Sequence, residues 1–141
     1  MSTATTRPSG AGVGSRSTIV VEWAIARDAV RSAQPDFDLP ASSRRGTDVV
    51  LSVAVQGSSC RAELRDSLTG VAHPIEIGAV RVEAIRADEF THIVVSEGSD
   101  ELLSATVRDQ SNESRLLYAH TALLARLGIR GGRYARPMLG V

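Results

Sequence analysis

The stretch SNESRLLYAHTALLARLGI, residues 111–129, sets the reading of the fold. Leu116, His120, Leu123 and Leu127 recur at spacings of three and four, and Leu117 and Leu124 widen the stripe. That period is one face of a helix. Ser111 is a suitable N-cap, and Glu113 stands in the first turn, where the helix dipole favours an acid. Gly128 followed by Ile129 reads as a Schellman stop with its apolar contact. Arg126 and Arg130 flank the negative end of the same element. The spacing therefore predicts a helix from Ser111 to about Leu127, ~25 Å long at about 1.5 Å per residue.

Upstream the period changes to two. Val49, Leu51, Val53 and Val55 alternate with Val50, Ser52, Ala54 and Gln56, and Gly57-Ser58 follows. A Gly-X pair suits a type II′ hairpin turn. Pairing Gln56 with Ser59 sets Val55 opposite Cys60, Val53 opposite Ala62 and Leu51 opposite Leu64. The reverse face then pairs Ala54 with Arg61, Ser52 with Glu63 and Val50 with Arg65. One apolar and one mixed face is what a half-buried antiparallel pair requires.

A second hairpin is expected around Gly98-Ser99. Pairing Glu97 with Asp100 sets Phe90 opposite Val107, His92 opposite Ala105 and Val94 opposite Leu103. Ile93, Val95 and Leu102 fall on the reverse face, which makes them interface candidates for a partner. Between the hairpins, residues 71–85 read as extended, with Pro74 near the start and Gly78 as a bulge.

Residues 18–33 carry Ile19, Trp23, Ala26, Val30 and Ala33 at helical spacing, and Pro35 ends the run. A β-branched Thr-Ile-Val-Val start also allows a strand over residues 18–23, alone or running into a helix. The helical reading is preferred. Residues 34–46 form a loop. The expected fold is thus α+β: an N-terminal helix, an antiparallel sheet of about five strands, and a long C-terminal helix packed on the sheet. Residues 1–17 read as a disordered tail, 18–129 as one domain, and 130–141 as a basic tail.

The 141 residues suit one domain. Aromatics make up only 4 % of the chain, so Val, Leu, Ile and Ala must fill the core. The single cysteine, Cys60, excludes an internal disulfide and a cysteine-rich metal site, and a reducing cytoplasm is the simplest compartment. No metal or cofactor is expected. No apolar run approaches the roughly 20 residues that span a bilayer, so no membrane partner is expected. All 16 basic residues are arginine, balanced by 16 acids. All the acids lie between residues 22 and 113, and the two ends are purely basic. Walker, Rossmann, zincin and Gly-X-Ser-X-Gly patterns are absent.

Three groups of residues remain as candidates. His92 and His120 would face each other across a pocket between the sheet and the C-terminal helix, with Cys60 and Tyr118 beside them. Histidine suits acid–base work near neutral pH, although a histidine on an apolar stripe more often simply packs. Arg126, Arg130, Arg133 and Arg136, with Tyr134, have the composition of a phosphate-contacting tail. The near-neutral isoelectric point of 6.8 argues against nucleic acid. The preferred reading is a non-catalytic interaction or scaffold module with a protein partner, or one that self-associates. A small-ligand binder or enzyme at the histidine pocket is the alternative, and nucleic-acid contact through the tail is the third reading.

Overall fold

In a computed structural model the chain is described at residues 18–40, 48–110, 113–129 and 135–140. The strands are β1 (Thr18–Ile25), β2 (Val49–Gln56), β3 (Ser59–Asp66), β4 (Ala72–Ile75), β5 (Val80–Ala87), β6 (Phe90–Glu97), β7 (Asp100–Gln110), β8 (Glu113–Thr121) and β9 (Ala135–Gly140). Two short helices accompany them, α1 (Arg27–Ala33) and α2 (Leu123–Arg126). One sheet has the order β9-β1-β2-β3-β4 and the other β5-β6-β7-β8. Every pairing is antiparallel. The fold is mostly β, and the expected α+β class with a long C-terminal helix is corrected. No described helix is long and apolar enough to cross a membrane.

The two sheets share one core. Val21, Trp23, Ile25, Leu51, Val53 and Leu64 from the first meet Ile93, Val95, Leu102 and Leu103 from the second in a single buried cluster. Each sheet thus hides one apolar face against the other, as a two-layer β architecture requires.

The hairpin β2–β3 has the expected register throughout, from Gln56 opposite Ser59 to Val50 opposite Arg65. Gly57 has a φ of +60°, while Ser58 does not share it. Positive φ at the first central position alone belongs to the II′ turn. Residues 18–25 take the strand form, because β2 supplies a full ladder and β9 a second one. The helical preference there is corrected: only Arg27–Ala33 coils.

The expected long helix fails for a specific reason. From Glu113 the chain pairs with β7, and the register shifts between Thr106 and Val107. Leu116 lies opposite Val107 and Tyr118 opposite Thr106, so Leu117 is an extra residue, a β-bulge. The bulge spaces the less exposed residues of β8 as Leu116, Ala119 and Thr121. An inserted residue in a strand thereby imitates a helical spacing of three. The terminating signal was read correctly: Ile129 N–H donates to Leu124 O at 2.8 Å and Gly128 N–H to Ala125 O at 3.0 Å. Those are the two bonds of a Schellman motif, closed by buried Ile129 and Leu124. It stops a single helical turn.

A second bulge acts in the hairpin β6–β7. Glu97 pairs with Asp100 as expected, but the register shifts between Val95 and Ser96, and Leu102 is the extra residue. Phe90 therefore faces Arg108, His92 faces Thr106 and Val94 faces Ser104. A one-residue slip moves every side chain to the other face. Ile93, Val95 and Leu102 are consequently core residues, at most 3 % exposed. As interface candidates they are corrected.

Residues 71–85 are not one extended segment. β4 and β5 belong to different sheets, and Gly78 lies in the link between them. Glu97 holds that link: its carboxylate accepts from Gly78 N–H at 2.5 Å and from Arg126 Nη2 at 2.8 Å. The Gly78 bond, then the Arg126 guanidinium, lower the Glu97 pKa. Gln34 Nε2 donates to Leu127 O at 2.6 Å and ties α1 to the end of α2.

Among the described residues, the one deeply buried ion pair joins α1 to the turn after β3. Arg27 Nη2 donates to Asp66 Oδ1, and both side chains are almost fully enclosed. Asp66 also accepts from Leu68 N–H at 3.0 Å and Thr69 Oγ1 at 3.0 Å, while Arg27 Nη1 reaches Pro40 O at 3.2 Å. The hydrogen bond from Arg27 is the main cause that lowers the Asp66 pKa, against burial, which raises it.

Asp66→Asn should destabilise the protein by about 3–5 kcal/mol in urea titrations, because it leaves Arg27 charged and buried without its partner. Arg27→Met with Asp66→Leu should cost much less than either single change. Asp66 binds its proton less readily folded than unfolded. Its contribution is therefore complete above the unfolded carboxyl value of about 3.9 and is lost as pH falls through the lower folded value. The acid branch of the stability curve should flatten in the double variant, and an unchanged branch would contradict this account.

Candidate interaction face

The outer face of the four-stranded sheet is built by the registers of β5 to β8. Its residues stand in rows across the sheet, with neighbours about 4.8 Å apart. One row is Ile85, His92, Thr106 and Tyr118. On one side of it lies the row Ala87, Phe90, Arg108 and Arg115, and on the other Glu83, Val94, Ser104 and His120. Of the five large hydrophobic residues exposed among the described residues, four belong to this sheet: Ile85 at 59 %, Phe90 at 36 %, Leu117 at 49 % and Tyr118 at 54 %. The Leu117 bulge explains why two adjacent large residues of β8 are both exposed.

Polar contacts hold the face in shape. His92 Nδ1 and Thr106 Oγ1 are 2.9 Å apart and bridge β6 to β7. Arg108 Nε donates to Glu89 Oε2 at 2.5 Å, and its guanidinium lies 5.9 Å from the centre of the Phe90 ring. Asp88 has a φ of +54° in the tight β5–β6 turn, a conformation that aspartate tolerates better than most residues.

The expected histidine pocket has no covering helix. His92, Tyr118 and His120 do share one face, on β6 and β8, but that face is turned outward. His92 is half-buried, and Tyr118 and His120 are exposed. Cys60 is in the other sheet, opposite Val55, where burial raises its thiol pKa. A raised value disfavours the reactive thiolate. His73 lies in β4 and stacks on Phe37, with ring centres 4.7 Å apart. Its Nε2 is buried and has no partner among the described residues.

Of the four arginines of the expected tail, two are among the described residues. Arg126 pairs with Glu97, and Arg136 lies in β9, paired with Ala24 of β1. Arg130 and Arg133 fall outside the described residues. The expected N-terminal tail, residues 1–17, lies outside them too.

Two depressions lie away from this face. A shallow groove of roughly 470 Å³ crosses the outer side of the other sheet and is lined by Glu22, Ser52, Arg61, Glu63 and Arg65. Its charges are mixed, and Arg65 pairs with Glu63 at 2.6 Å. A concavity of similar volume, roughly 480 Å³, surrounds Asp36, Phe37 and Asp38 beside α1. Among the described residues no three His, Cys, Asp or Glu side chains gather as metal ligands would. Comparison of the chain with protein-family models, curated proteins and solved structures finds no match.

Sequence patterning missed Ile85, Phe90 and Leu117 as face residues. The available signal was the pair Leu117-Tyr118, two large residues adjacent in a strand whose partner alternates.

Tyr118→Ser and Ile85→Ser should each shift stability by less than about 0.5 kcal/mol, since neither side chain is packed. Ile93→Ala and Leu102→Ala should each cost about 2–5 kcal/mol. Urea midpoints in the reverse order would mean that the two faces have been interchanged.

Proposed function

We propose that the protein is a non-catalytic interaction module that docks a protein partner on the outer face of the four-stranded sheet. The observation that carries the proposal is the concentration of Ile85, Phe90, Leu117 and Tyr118 on one face. Ile85 and Phe90 lie on the β5–β6 side of the face and Leu117 and Tyr118 on the β8 side, with His92, Thr106 and Arg108 between them. Aromatic residues and arginine are enriched at protein interfaces.

Two features favour a protein over other ligands. The face is an open sheet surface, whereas small-molecule sites are concave. Glu83, Asp88, Glu89 and Glu101 stand along it or at its rim beside Arg81, Arg108 and Arg115, a mixed surface rather than the basic one that a phosphate backbone requires. The lone thiol of Cys60 suits a reducing compartment, and the proposal sets the module in the cytoplasm.

The test is site-specific photocrosslinking in the native cell, with a benzophenone side chain at Tyr118 and a control at Arg61 on the opposite sheet. Protein adducts at position 118 and none at 61 are expected. Equal yields at both positions, or adducts only with nucleic acid, would refute the docking face.

A further inference from the structure

The geometry points to a second copy of this chain as the partner, an inference that rests on the docking face above and adds its occupant. Two sheets that pack face to face lie about 10 Å apart with their strands roughly aligned. For identical sheets, a two-fold axis along the strands sets β5 of one copy over β8 of the other and β6 over β7. Each row then meets itself in reverse order.

The reversed rows are complementary. Ile85 comes opposite the Tyr118 position of the other copy, which joins the two large apolar residues of the central row. Glu83 comes opposite the His120 position, so a carboxylate meets a ring N–H donor, which imidazole keeps in either charge state. Phe90 comes opposite the Arg108 position and repeats between copies the cation–aromatic contact already present within one. No row sets like charges against each other: Arg115 meets Ala87 and Glu101 meets Ser96. Each contact occurs twice by symmetry.

The face is small. Four strands at about 4.8 Å and four rows at about 7 Å give roughly 500 Å² of flat surface. Stable interfaces take about 800 Å² per partner, so the dimer is weak, of micromolar affinity or poorer.

The experiment is sedimentation equilibrium of the full chain from ~1 to ~500 µM, a range chosen to bracket that affinity. A reversible monomer–dimer transition is expected. Glu83→Arg and His120→Glu should each weaken it by about tenfold or more, the first because it removes the carboxylate acceptor and the second because it sets two carboxylates together. Their combination restores an opposite-charge pair and should return the Kd to within about threefold of the original, the non-additivity a direct contact produces. Circular dichroism of each variant checks the fold, which these exposed positions should leave intact. A monomer at every concentration, or a dimer indifferent to both single changes, would overturn self-pairing. Crosslinks from position 118 to a different protein, with a monomeric chain, would leave the docking face standing and remove only this occupant. Absence of any protein adduct would remove both.

Discussion

The buried pair of Arg27 and Asp66 is the constraint on which the rest of the structure depends. Removing both charges from water is expensive, and the expense is offset only if every lone pair and proton is satisfied. Asp66 accepts from Leu68 and Thr69 as well as from Arg27, and Arg27 also binds the carbonyl of Pro40. These bonds fix three remote segments together: α1, the residues before Pro40 and the turn after β3. With α1 held there, Val30 and Leu39 join the core shared by the sheets. A pair of this kind adds little net stability over an apolar replacement, and its contribution here is to tie together the segments that its hydrogen bonds reach.

That core leaves each sheet one outward face, and two bulges decide which residues appear on it. The extra residue at Leu102 sets Leu103, Ala105 and Val107 on the same face as Ile93 and Val95, and that apolar face turns inward while Phe90, His92 and Val94 turn outward. The extra residue at Leu117 exposes two consecutive large side chains on β8. Each bulge changes the backbone by one residue, yet together they compose the candidate face. A bulge that re-aims side chains is a known device at functional surfaces. Here it brings Tyr118 beside Thr106 and His92, and Ile85 at the far edge completes the row.

The same bulges explain how far the candidate site was legible. Tyr118, His92 and His120 are on one side of one sheet, whereas Cys60, expected beside them, is in the other. The expected pocket assumed a covering helix, and strand β8 stands in its place. Ile93, Val95 and Leu102 were assigned outward by an unbroken alternation that the register does not keep. Nothing local in Glu101-Leu102-Leu103 announces an inserted residue, since both leucines suit a strand and both suit a core. The second sheet demands apolar side chains at both positions, and that demand is non-local.

Local sequence alone determined the elements whose causes are local. Strict alternation on both strands fixed the register of β2 and β3, and Gly57 fixed the turn between them, since left-handed backbone is costly for other residues. Gly128 and Ile129 fixed where α2 stops, through two short-range hydrogen bonds. Only the tertiary structure decided that residues 18–25 and 113–121 are strands. Their side chains fit helix and strand patterns alike, and the choice fell to the partners: β2 and β9 beside one, β7 beside the other. A ladder's hydrogen bonds come from another part of the chain, so no window of sequence contains the information that selects it.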